Sequence, residues 1–189
     1  MSSIKNLFSV TVVGLLSLSS CSKDNPSSSD TNGACNPAAA VRRNAFTIDG
    51  NGYSNIILNL DTIGSSQSTI LRSTGSVYTY DKLIFSLTLN NDTVGLLLHL
   101  RFPSISSGSY SWADRSRDTS AMGCSVVLYH LDGSIFHSYN SVSGGTNMKL
   151  FQTNPVAWDS MFSSYCGTLK DSLGNTITLT NGTFYISHS

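Results

Sequence analysis

The chain has 189 residues and a mass of 20.2 kDa, room for one domain with extra segments but not for two of ordinary size. Only 12% of residues are charged, all 11 acidic ones are Asp, and with no Glu and 15 Gly the usual formers of exposed helix faces are missing, which argues against a helical bundle. Net charge is zero and the 11 Lys and Arg are scattered, so the cationic footprint of a nucleic-acid binder is excluded.

The first segment reads as an address. Met1–Ser20 places one cation, Lys5, ahead of an apolar stretch from Leu7 to Leu18 and then small residues up to Cys21. That order is a secretory signal's, and the stretch is shorter than the roughly 20 apolar residues of a membrane span. Leu18-Ser19-Ser20-Cys21 resembles the bacterial lipobox, in which cleavage before the Cys leaves its sulfur carrying a diacylglycerol. The resemblance implies lipidation of Cys21; an ordinary secretory signal with a chance Cys is the alternative. At about 0.8 kcal/mol per buried methylene, two or three acyl chains hold a protein on a membrane without spanning it. Ser22-Lys23-Asp24-Asn25 is similar to the export signal of Bacteroidota surface lipoproteins, which implies the cell outer membrane and an outward orientation. A periplasm-facing lipoprotein is the alternative.

Residues 21–43 form the lipidated Cys and a tether: Ser22 to about Ala40 is rich in Ser, Asn, Asp, Pro and Gly, with almost nothing to bury. From residue 44 to residue 189 the pattern changes to short β-type runs broken by Gly, Asn and Asp, with no fixed repeat, and predicts one domain. Strands are predicted at Phe46–Ile48, Tyr53–Leu60, Ser68–Arg72, Lys82–Leu89, Val94–Phe102, Ser109–Trp112, Cys124–Leu131, Ser134–Tyr139, Met148–Phe151 and Phe162–Leu169, with a helical turn near Pro155–Ser160. Three hairpins have testable registers. A loop at Asn91-Asp92 pairs Leu87 with Leu96, Phe85 with Leu98 and Leu83 with Leu100, placing both apolar sets on one face. Asp132-Gly133 pairs Leu128 with His137 and His130 with Ile135. Asn181-Gly182, a strong type I′ signal, pairs Leu179 with Phe184 and Ile177 with Ile186. The expected fold is all-β: a single antiparallel β-sandwich or barrel-like domain of about ten short strands.

With Cys21 acylated, Cys35, Cys124 and Cys166 remain. Cys124 and Cys166 both fall in predicted strands, which favours a disulfide between them; pairing of Cys35 with either, or no bridge, stays open. No two Cys are close enough for a CxxC metal site. GxSxG, HExxH, Walker and GxGxxG motifs are missing, so the sequence offers no catalytic residue and implies no cofactor. His130 and His137 fall diagonally on one face, but without a third ligand they read as ordinary strand histidines, and no metal is expected. Asp114-Arg115-Ser116-Arg117-Asp118 reads as a solvated loop of self-compensating charges, with an anionic sugar or Ca²⁺ grip as the alternative. Trp112, Trp158, Tyr78, Tyr80, Tyr110 and Tyr139 read as core or rim packing, against a sugar-stacking platform.

Asp61-Thr62-Ile63, Asp92-Thr93-Val94, Asp159-Ser160-Met161 and Asp171-Ser172-Leu173 resemble the Asp-Ser/Thr-aliphatic sequon of O-glycosylated Bacteroidota exported proteins, which implies sugars at Thr62, Thr93, Ser160 or Ser172. The tail from Cys166 to Phe184 is similar to the "G-T-L-x-D-x-x-G-N … T-N-G-x-F" ending of small Bacteroidota lipoproteins, and Phe46-Thr47-Ile48-Asp49-Gly50 resembles their opening. That resemblance carries no activity. The expected function is a non-enzymatic, surface-exposed lipoprotein, its membrane contact an acyl anchor and its partner a ligand, a glycan or an envelope protein. A structural or adhesive assembly subunit is the alternative, with an envelope hydrolase or inhibitor behind it. A cleft lined by Asp and His would favour an enzyme, and an exposed aromatic strip would favour sugar binding.

Overall fold

The computed structural model describes residues 42–62, 67–151 and 160–187. The domain is all-β: β1 (Ala45–Gly50), β2 (Tyr53–Asn59), β3 (Gln67–Thr74), β4 (Val77–Leu89), β5 (Asp92–Phe102), β6 (Gly108–Ser111), β7 (Gly123–Tyr129), β8 (Ile135–Phe151), β9 (Ser160–Lys170) and β10 (Thr176–Ser187). Every pairing is antiparallel, in the order β2-β1-β10-β9-β8-β7-β5-β4-β3, and the sheet curls into a half-barrel. The long β8 carries β7 and β6 on one side and β9 on the other.

Alternation drives the curl, because one face must be buried. Leu96, Leu98, Leu100 and Phe102 point inward, as expected, while Leu97, His99 and Arg101 lie half-buried on the outer face. Tyr80 of β4 stacks on Phe184 of β10 at 4.4 Å between ring centres, although four strands lie between β4 and β10 in the sheet order. That contact spans the hollow of the curl.

The β4–β5 hairpin forms, with a register different from the expected one. Its turn is Asn90-Asn91, with φ of 50° and 70°, so Leu89 faces Asp92. Two Asn supply the left-handed pair that a type I′ turn needs. A bulge between Ile84 and Leu87 then exchanges the faces of β4. Tyr80, Lys82 and Ile84 turn inward opposite Leu100, Leu98 and Leu96, and Phe85 is left 49% exposed. At β7–β8, Leu128 faces His137 as expected, but a bulge there makes Tyr129, and not His130, the partner of Ile135.

Asn181-Gly182 makes no hairpin. Both residues lie within the continuous β10, where the register on β9 shifts between Leu179 and Gly182. Asn181 takes φ 51°, and a Cβ on Gly182 would come within 2.4 Å of the Tyr165 ring. The positive φ and the missing side chain serve a bulge over a buried Tyr, not a turn. The turn lies instead at Asp171–Asn175, where the Asp171 carboxylate accepts the Leu173 and Asn175 amides at 3.0 and 2.8 Å. The strand predicted at Met148–Phe151 is the end of β8, and the predicted helical turn lies outside the described residues except for Ser160, which opens β9.

Two packing devices close the structure. Trp112, just after β6, enters the core over the cross-strand pair Gly144–Gly167, and a Cβ on either glycine would come within 2.6 Å of its ring. Its indole Nε1 donates to Thr146 Oγ1 at 2.8 Å. The second device joins the sheet's two edges, β2 and β3. Asp61 accepts the Asn44 amide at 2.6 Å and its Nδ2 at 2.7 Å, and pairs with the buried Lys82 ammonium at 3.3 Å. Lys82 also donates to Thr69 Oγ1, and Tyr80 donates to Asn44 Oδ1 at 2.5 Å.

Candidate functional site

The curl leaves a groove of about 470 Å³ on the outer face of β3, β4 and β5. Ile70, Leu83 and Leu97 are its apolar walls, and Arg72, Thr74, Thr79, Asp81 and His99 supply its polar groups. Register puts the centre together: Ile70, Asp81, His99, Ser125 and Asn140 face one another in turn across β3, β4, β5, β7 and β8.

Asp81 organises this row. Its side chain is only 9% exposed, one oxygen 2.6 Å from His99 Nδ1 and the other 2.7 Å from Arg72 Nη2. Burial pushes the Asp81 carboxyl up, but hydrogen bonds and charge from His99 and Arg72 outweigh it and hold the group below the usual carboxylate range. Asp81 therefore stays ionised and fixes the imidazole by its Nδ1, leaving Nε2 without a partner among the described residues. Sequence reading missed this pair because the expected register places Asp81 opposite Phe102. Two adjacent Asn at 90 and 91 signal the true turn, but the one-residue shift at the β4 bulge, which sets Asp81 opposite His99, has no signal in the sequence.

An Asp–His pair beside a cleft also suits a hydrolase, for which the adjacent hydroxyl, Ser125, would be the nucleophile. Ser125 is 6% exposed and donates instead to Asn140 Oδ1 at 2.7 Å. The Ser125 hydroxyl is thus held by Asn140, not by His99.

The other predicted residues fall elsewhere. Cys124 is a free, buried thiol, pushed up by burial, while Cys166 is in a disulfide. The expected Cys124–Cys166 bridge does not form. Cys124 faces the core on β7 and Cys166 the outer side on β9, with β8 between them. Two strand spacings come to roughly 10 Å, beyond the roughly 7 Å limit between bridged Cα atoms. The partner of Cys166 lies outside the described residues, as do Cys21 and Cys35.

Tyr80, Tyr139 and Trp112 are core residues, Tyr78 and Tyr110 are half-buried, and Trp158 lies outside the described residues. The five described aromatics pack as the core-or-rim reading expects. His137 stacks on Tyr139 and lies 3.6 Å from Asp171, whereas His130 is exposed in its turn beside Phe136. Among the described residues no three His, Cys or Asp side chains gather as metal ligands would. Thr62, Thr93 and Ser172 are exposed and Ser160 is half-buried. The 114–118 segment is not a uniformly solvated loop: Arg115 is only 4% exposed.

No family model, curated protein or solved structure matches the chain.

Proposed function

We propose that this chain is a lipid-anchored protein of the cell outer membrane, facing the exterior, whose β-domain binds a ligand or glycan in the outer-face groove without transforming it. The anchor rests on the lipobox-like Leu18-Ser19-Ser20-Cys21 and the following Ser22-Lys23-Asp24. The observation that carries the binding reading is the groove, where apolar walls flank an imidazole and a guanidinium both fixed by Asp81. Such a mixture of apolar surface and a few oriented polar groups is how small-ligand sites are built. Thr62, Thr93 and Ser172 offer exposed hydroxyls for glycans.

An intact-mass measurement on the protein from its envelope tests the anchor. The expected mass is that of the chain from residue 21, plus acyl chains lost in Cys21→Ala, minus two hydrogens for one disulfide, with hexose increments on the sequon hydroxyls. A chain that keeps residues 1–20, or carries no acyl mass, overturns the anchored reading. For the groove, a glycan array probed with wild type and Leu97→Arg should show signal only for wild type; identical profiles would refute the site.

A further inference from the structure

Arg115 is an anomaly in the segment that sequence alone marks as solvated. It is 4% exposed, and its Nη1 donates to the Ala121 carbonyl at 2.9 Å. Its Nε, like that of Arg101, is sealed from solvent with no hydrogen-bond partner. Among the described residues neither guanidinium lies within ion-pair distance of a carboxylate. The two acids of the segment are engaged by their own turns: Asp114 accepts from Ser116 and pairs with Arg117, and Asp118 accepts from Ser120 at 2.8 and 2.6 Å.

Backbone geometry places the two arginines side by side. Arg101 on β5 faces Gly123 on β7 in direct register. The space a Gly123 side chain would occupy is taken by Ser141 Oγ and by Arg115, whose Cδ would be 3.0 Å from a Cβ there. Two like charges thus lie close together, Arg101 beside Thr79, its partner on β4, which lines the groove. Burial weakens the charged form of Arg115 and Arg101 adds to the cost, while the neighbouring Cys124 and the exposed Asp118 offset part of it. A desolvated cation without a counter-ion is strongly unfavourable, and guanidinium forks are well suited to oxyanions.

We infer that Arg101 and Arg115 form an oxyanion site that takes a phosphate or sulfate group, free or as an ester, at the end of the groove. The anion supplies acceptors for the unpaired N–H groups and neutralises both cations at once. The site stands on its own arginines and holds whether or not the groove takes a glycan.

The test is thermal unfolding of the full chain in phosphate against chloride at equal ionic strength. A ligand that binds only the folded state raises Tm by mass action, as RT ln(1 + [L]/Kd), here on the order of 5–10 °C once phosphate is about 100-fold above Kd. The rise should follow the logarithm of phosphate concentration, disappear in Arg101→Gln and persist in Arg117→Gln, whose side chain is 89% exposed on the same segment. General salting effects of phosphate do not depend on one arginine. Glucose 6-phosphate distinguishes the source: a matching rise marks an ester-bearing ligand, and no rise beside a phosphate response marks a free ion. No gain over chloride, or a gain unchanged in Arg101→Gln, overturns the site.

Discussion

Trp112→Ala should destabilise the domain by about 3–5 kcal/mol, the range for removing a large buried aromatic. Urea unfolding followed by circular dichroism reads it directly, as a lower midpoint with an unchanged slope. The effect should sit at the upper end of that range for two reasons. The cavity cannot collapse, because the wall behind the indole is the backbone of Gly144 and Gly167, which has no side chain to move. Thr146 Oγ1 also loses the donor it meets at 2.8 Å. Gly144→Ala approaches the same contact from the other side. Its Cβ would lie 2.6 Å from the ring at a backbone φ of 132°, so overpacking and strain act together and should cost about 1–3 kcal/mol. If Trp112→Ala unfolds at the wild-type midpoint, the indole is not part of the core.

Asp61→Ala is the second large effect, and it comes with a diagnostic partner. Removing Asp61 strands the Lys82 ammonium, whose side chain is 6% exposed, with Thr69 as its remaining acceptor. Breaking a buried ion pair from one side costs about 3–5 kcal/mol; here the lower end applies, since Asp61 is itself 35% exposed and its charge is partly screened. Lys82→Met should be far milder, within about 1 kcal/mol of wild type, because an apolar chain fits among Leu98 and its neighbours and Asp61 keeps both Asn44 donors. Asp61→Ala with Lys82→Met should therefore recover much of the loss. Additive single effects in that cycle would show that the two residues do not act as a pair.

The fold was legible where alternation and turn chemistry agree, and obscured where a bulge intervenes. Leu96 to Phe102 declare their buried face by strict alternation, and Asp132-Gly133 correctly set Leu128 against His137. At β4 the run Leu83-Phe85-Leu87-Leu89 also alternates, yet the bulge before Leu87 sends Leu83 and Phe85 to the outer face. A pattern of period two cannot reveal an inserted residue, because apolar groups exist on both sides of it. Asn181-Gly182 misleads for a related reason. Positive φ is needed equally by a turn and by a bulge, and only the nearby Tyr165 ring decides between them.

The candidate sites were less legible than the fold. Asp81 and His99 are brought together by a register that depends on that same bulge. Arg115 looks solvated among Asp114, Arg117 and Asp118, and its burial follows from the vacancy at Gly123, which is distant from Arg101 in sequence. The seam of Asn44, Asp61, Thr69, Lys82 and Tyr80 is assembled from separate strands, so no local motif announces it.

The placement of β1 has a consequence for how the chain acquires its structure. β1 is held between β2 and β10, so the earliest strand of the domain docks against the latest. A nascent polypeptide therefore cannot finish the sheet until β10 has emerged. Loops that long are closed late and slowly, which makes folding a sluggish, all-or-none event. Until then the inner faces of β4, β5 and β7 stay wet and adhesive, a window in which an escorting chaperone has the most to do.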